Sequence, residues 1–232
     1  MRQSNRSWRM AALAGLAAVC VGCSGSAESN GPGGPGAKGN GPNGSVEGPN
    51  GQTANEKPGK VEPLPLPTIP KVVLDDALKA TCLVWVDDTL PQGQLPDLDG
   101  NLHPIKDLFG KKLTVVVFWS KGNLYALQEL QDLGRDVVEP YSDKGVAVIA
   151  VNVGDPPEQV RQALKMTGAA VPVLLDSGGA YFGTVATGKK IPRTYVLGAD
   201  GKILWFDPDY SEATSRNMIQ TIRVALGEIG KR

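Results

Sequence analysis

The sequence predicts a three-layer α/β/α fold with a mixed central sheet flanked by helices, and three observations predict it. Residues 113–119 read LTVVVFW, an unbroken, β-branched apolar run of the kind buried on both faces of a sheet. Directly after it, Leu124, Leu127, Leu130 and Leu133 recur at the spacing of one helix face. Near the other end, two apolar runs at 193–197 and 202–206 flank Asp200-Gly201, a strong hairpin signal. The resulting order is strand, helix, strand, helix, hairpin, helix, which right-handed crossovers fold into a mixed sheet with helices packed on it.

The elements follow in turn. Residues 75–80 suit a short helical turn, and 82–86 (CLVWV) a strand. Pro91 and Pro96 interrupt the next stretch. Residues 95–100 then form a turn, and Leu102 and Ile105 return as a short pair of edge elements. The helix after residue 119 should run for about four turns and end at Pro140. A second central strand occupies 146–151. Pro157 and Glu158 open another helix, which Gly168 closes. A shorter strand at 171–175 ends in Asp176-Ser177-Gly178-Gly179, and 180–187 is a short helix or loop. Thr214 or Ser215 can cap the last helix, whose apolar face carries Met218, Ile222 and Ile229.

The chain is divided by composition. Arg2, Arg6 and Arg9 precede an apolar stretch at 10–22, a pattern expected of an export signal and too short for a confident membrane span. Gly22-Cys23-Ser24 resembles a bacterial lipobox, which implies lipidation at Cys23, although Cys20 stands where Leu is usual. An ordinary signal peptide or short anchor is the alternative. Of the 37 residues at 24–60, 21 are Gly, Pro or Asn and none is aromatic, so this segment is expected to be a disordered tether. Residues 61–232 suffice for one domain with a real core.

The 24 basic and 24 acidic residues balance over the whole chain. Residues 61–232 hold 18 basic and 21 acidic residues, which argues against a nucleic-acid partner. If cleavage precedes Cys23, Cys82 is the single free thiol of the mature chain and no internal disulfide can form. His103 is the only histidine, so neither a metal site nor any cofactor is expected.

The order of elements, Pro96-Asp97 with Gly100, Phe118-Trp119, Glu129-Leu130, Pro192 before Arg193-Thr194-Tyr195, and Asp200-Gly201-Lys202-Ile203 together resemble the thioredoxin-like superfamily. The nearest group is the exported thiol-disulfide reductases of the TlpA or ResA type, which overlap with the AhpC/TSA redoxins. The resemblance covers roughly residues 95–227. It implies a W-C-x-x-C site at the start of the helix after residue 119, where a helix N-terminus favours a nucleophilic thiolate. It also implies a cis-proline at Pro192. Here Gly122, Asn123 and Ala126 occupy the positions of the Trp and the two cysteines. An amide cannot attack a disulfide, and Ala126 cannot resolve a mixed one. A peroxidatic cysteine is missing from the same helix start, with only Ser120 to mimic its hydroxyl neighbour.

Pro192 has two readings. It can shape a loop beside the core, or it can present a strand-like edge to an extended polypeptide. In the second case Asn123, Tyr125, Pro192 and Arg193 should line the groove, with Lys121 adding positive charge. Cys82 reads first as a small buried hydrophobe. Its alternative is a relocated redox thiol, with Lys79 nearby in sequence.

Three functions follow as expectations. The first is a membrane-tethered, redox-inactive thioredoxin-like domain that binds an extended polypeptide or another envelope protein. The second is a thiol-disulfide oxidoreductase or peroxiredoxin-like protein using Cys82 with a partner thiol. The third is a purely structural envelope protein. All three place the domain outside the cytoplasm, lipid-anchored to the cell envelope through Cys23.

Overall fold

The computed structural model describes residues 67–229. The expected export signal, the Cys23 lipidation site and the tether lie outside these residues. Among the described residues no helix is long and apolar enough to cross a membrane.

The first element of the described residues is a one-turn helix, α1 (Asp76–Lys79), capped by the Asp75 carboxylate, which accepts from Leu78 N. A short hairpin follows, β1 (Gln94–Pro96) and β2 (Leu102–Pro104), paired antiparallel with Leu95 opposite His103. The five-stranded sheet is built from β3 (Leu113–Trp119), β4 (Val146–Val153), β5 (Val173–Asp176), β6 (Arg193–Gly198) and β7 (Ile203–Asp207), in the order β5-β4-β3-β6-β7. β3 is the centre of this mixed sheet. It runs parallel to β4, with Trp119 opposite Asn152, and antiparallel to β6, with Phe118 opposite Arg193. All seven residues of β3 are buried, as an apolar run with no polar alternation requires.

Three helices complete the fold: α2 (Leu124–Leu133), α4 (Pro157–Thr167) and α5 (Glu212–Ala225), with the short α3 (Glu139–Tyr141) after α2. The crossovers β3-α2-β4 and β4-α4-β5 step the same way across the sheet. With the same hand, they lay both helices on one face. That face packs Val115, Val117 and Trp119 of β3 against Ala126 and Leu130 of α2, Val160 and Ala163 of α4, and Met218 and Ile222 of α5. On the opposite face, Val116 and Phe118 meet Ile105, Tyr181, Phe182, Tyr195 and Phe206. Pleating therefore sends alternate residues of one strand into two separate cores.

Three local expectations are corrected. Residues 82–86 do not form a strand: Cys82 makes a single bridge to Ala186, and Asp87 has a positive φ of 75° that bends the chain away from extended pairing. Pro140 does not end its helix. A π-turn at Gly134–Val138, in which Glu139 N reaches back to Gly134 O, links α2 to α3, so the helical path continues past the proline's missing N–H. The last helix begins earlier than expected, with Ser211 as the cap in a reciprocal box with Thr214.

The start of the central strand pair tolerates no added volume. A Cβ on Gly110 would lie 2.1 Å from Leu113 O and 2.7 Å from Ala147 N, both backbone atoms. Gly110→Ala is therefore expected to cost about 3 kcal/mol or more. Gly122→Ala, where nothing lies within 4 Å, should stay close to neutral. Denaturant unfolding of the two variants side by side checks this.

Candidate functional site

The site sits where the end of β3 turns into α2. Asn123 is the N-cap of α2, in extended backbone conformation (φ −112°, ψ 113°). Its Oδ1 accepts from Tyr125 N at 2.9 Å and Ala126 N at 3.2 Å. Its Nδ2 donates to Ile191 O on the facing loop. The next peptide bond, Ile191–Pro192, is cis. One amide thus does two things. Its oxygen occupies helix-end donors that could otherwise hold an anion, and its nitrogen ties the helix to the proline loop.

The neighbouring residues divide sharply by exposure. Leu124 and Tyr125 are 80% and 67% exposed, an apolar pair projecting from the helix tip, whereas Ala126 is fully buried. Pro192 is also buried. Lys121 lies at the rim. Its backbone N–H donates to Asp155 at 2.6 Å and its Nζ to Gln162 at 3.3 Å. Asp155 is held in turn by Asn152 at the end of β4.

Beneath the helix tip lies a carboxylate to which the sequence alone assigns no role. Glu129 is on the inner face of α2, 2% exposed, and its Oε1 accepts from Thr194 Oγ1 at 2.6 Å. Its other oxygen has no partner. Burial raises its carboxyl from 4.5 to about 8, opposed by the Thr194 hydrogen bond and reinforced by Asp207 and Asp132. Asp207, on the neighbouring β7, is itself pushed up to about 6, mainly by burial. The available signal was periodicity: Glu129 lies three residues after Ala126 and beside Leu130, on the apolar face of α2.

Asn123, Tyr125, Pro192 and Lys121 come together at this end of the molecule. Arg193 does not. Its side chain is fully buried on the other face of the sheet, because β-strand alternation sends Thr194 toward α2 and Arg193 away from it. There it meets Cys82. Arg193 Nη1 donates to Cys82 Sγ at 3.3 Å and Nη2 to Thr81 Oγ1 at 3.0 Å. Cys82 is half-buried and packs against the second core, as a small hydrophobe does, while its Sγ–H donates to Leu78 O at 3.4 Å. The positive charge beside it comes from Arg193. Lys79, its neighbour in sequence, lies over the Trp85 ring at 5.9 Å. His103 pairs with Asp97 at 2.9 Å in the β1–β2 hairpin, away from both sites.

Comparison with known proteins places this geometry. The family model described as AhpC/TSA family matches residues 86–206, more than half of the 232-residue chain. The chain belongs to the AhpC/TSA family. Within that family it is similar to "Thiol-disulfide oxidoreductase ResA" of Geobacillus thermodenitrificans, 28% identical over 120 residues, covering 52% of this chain and 67% of the relative. The same-named protein of Bacillus anthracis is 27% identical over 49% of this chain and 64% of its own length. The chain thus spans about two thirds of the curated relatives it matches.

Solved structures agree on the thioredoxin-like fold. A candidate protein disulfide isomerase from Bacteroides thetaiotaomicron superposes with a TM-score of 0.58 at 23% identity, covering 63% of this chain and 93% of that one. The thioredoxin domain of a thiol-disulfide oxidoreductase from Bacteroides vulgatus superposes at 0.51 and 19% identity, covering 62% and 99%. This AhpC/TSA chain therefore has a TlpA/ResA-type redoxin scaffold. Among its described residues Cys82 is the only thiol, and it lies away from the α2 tip.

Proposed function

We propose that the domain is a redox-inactive thioredoxin-like binding module that recognises an extended polypeptide at the tip of α2. The observation that carries this reading is Asn123. Its amide oxygen takes the helix-end donors, and its amide nitrogen holds the Ile191 carbonyl. No sulfur stands where exchange would begin. Leu124 and Tyr125 offer exposed apolar contacts next to it, the kind of anchor that fixes a peptide whose backbone supplies the remaining bonds. In this reading Cys23 carries a lipid, the Gly/Pro/Asn-rich segment is a spacer, and the domain works at the cell envelope outside the cytoplasm.

A second reading keeps the activity in the relatives' names, thiol-disulfide oxidoreduction, with Cys82 as the sulfur that meets a partner thiol. The contact between Arg193 and Cys82 favours it, since a guanidinium beside a sulfur stabilises negative charge there. A purely structural role is favoured by the burial of Pro192 and by the Asn123 bond that occupies the Ile191 carbonyl.

The test uses an S-carboxymethylated, permanently unfolded polypeptide as ligand and a disulfide-reduction assay alongside. The chain should bind the polypeptide, lose about tenfold in affinity in Leu124→Ser/Tyr125→Ser, and show no turnover above the Cys82→Ala control. Absent binding, or binding indifferent to the double substitution, overturns the module reading. Turnover lost in Cys82→Ala establishes the second.

A further inference from the structure

Arg193 presents an electrostatic problem that the α2 site does not explain. Its side chain is fully buried, and it forms no ion pair with any described carboxylate. Its hydrogen-bond partners are a hydroxyl and a sulfur, and its Nε has no partner at all. A buried charge without an opposite charge is costly, by several kcal/mol in typical cases. Tyr195 is fully buried on the same face, with Arg193 beside its hydroxyl. Burial pushes that phenol up to about 12, with Arg193 opposing and Cys82 reinforcing the change. A buried guanidinium and a buried phenol therefore flank one half-buried sulfur.

The sulfur is the one group in this cluster that can become the missing anion. A thiolate formed at Cys82 would stand 3.3 Å from a fixed guanidinium. Its backbone is bridged to Ala186, and the Leu83 N–H donates to Val185 O, which fixes Cys82 in place while its half-buried side chain stays partly open to solvent.

We propose that Cys82 is a modification site for low-molecular-weight disulfides, with Arg193 as its charge partner. The proposal goes beyond both functional readings because it needs one modification event and no turnover. In the step, the Cys82 proton leaves to solvent and the thiolate attacks one sulfur of the small disulfide. A new S–S bond forms at Cys82 and the reagent's S–S bond breaks. Its other half departs as a thiolate with the electron pair. Cys82 is oxidised and one half of the reagent is reduced.

The experiment uses the full chain with Cys20→Ser and Cys23→Ser, so that Cys82 is the only thiol, and dithiodipyridine as the small disulfide. The released thiopyridone reports the rate, and intact mass identifies the adduct. Native protein is expected to react about tenfold faster than the same chain unfolded in denaturant. Arg193→Met should abolish that advantage, and Arg193→Lys should keep most of it. A native rate at or below the unfolded rate overturns the proposal with no substitution needed, so it stays testable even if Arg193→Met fails to fold. An unchanged rate in folded Arg193→Met also overturns it. So does preferential conversion to a sulfenate by equimolar hydrogen peroxide in competition with dithiodipyridine. Turnover in the disulfide-reduction assay bears on the oxidoreductase reading alone, which keeps the two failures distinct.

Discussion

Glu129→Gln is expected to leave stability nearly unchanged at about pH 4 and to raise it by an order of 3–5 kcal/mol at about pH 9. The direction follows from the raised carboxyl. In the folded protein it titrates at about 8, and its ordinary value is 4.5. Below the lower value the group is protonated in both states and ionisation contributes nothing. Between the two values the unfolded chain gives up the proton and the folded chain keeps it. The folded state then binds more protons, so stability falls as pH rises. Above about 8 both states are ionised and the penalty is complete, a charge confined under α2 with one oxygen unpartnered. Gln keeps the shape and the bond from Thr194 while removing the charge. Asp207, raised to about 6, should leave a smaller decline of the same sign in the variant, confined to the acid side of neutrality. Denaturant unfolding of both proteins across this range decides the matter. Parallel curves would mean that Glu129 is not the buried titrating group.

Asn123→Cys/Ala126→Cys is expected to give the domain thiol-disulfide exchange that it lacks at this position. The two residues lie three apart at a helix start, where their Cα atoms are about 5–6 Å apart, within the span a disulfide bridges. Replacing Asn123 frees the Tyr125 and Ala126 N–H groups for a thiolate. If the helix terminus brings that thiol from about 8.5 to about 7, the thiolate share at neutral pH rises about fifteenfold. Loss of the cap costs about 1 kcal/mol, which a folded domain can absorb. The single Asn123→Cys variant should trap mixed disulfides without turning over, because a buried Ala126 cannot resolve them. A disulfide-reduction assay with dithiothreitol as donor distinguishes the three proteins. A double variant that forms its internal disulfide and still shows no turnover would mean that more than the two sulfurs has been lost from the scaffold.

Much of the fold was legible because burial writes itself into periodicity. β3 announces itself by seven consecutive residues with no polar break, and the α2 tip by the leucines that follow. The misreadings have physical causes. Residues 82–86 have the composition of a strand, yet the left-handed turn at Asp87 and a lone bridge to Ala186 leave them without a ladder. Pro140 signals a helix end, but a π-turn one step earlier absorbs its effect. At the site, the absence of both cysteines was plain from the residues alone. The amide's second bond to Ile191 was not, since it spans 68 positions and depends on how the proline loop comes back to β3. Arg193 follows Pro192 directly in sequence, but the pleat turns its side chain to the face opposite Thr194 and the α2 tip.

The stretch between α1 and β3 has a consequence for behaviour in concentrated solution. The five-stranded sheet has two open margins, one on β5 and one on β7. The Asp87 N–H donates to Ile203 O, and Asp88 O accepts from the Ile203 N–H. Thr89 bridges to Lys202 along the same margin, and Asp97 bridges to Leu174 on the other. A single segment, which carries the β1–β2 hairpin, therefore occupies backbone groups on both outer strands, groups that would otherwise offer a template to a second molecule. A version beginning after this stretch would keep the central strands and bare their margins. Its first failing would be self-association through edge pairing.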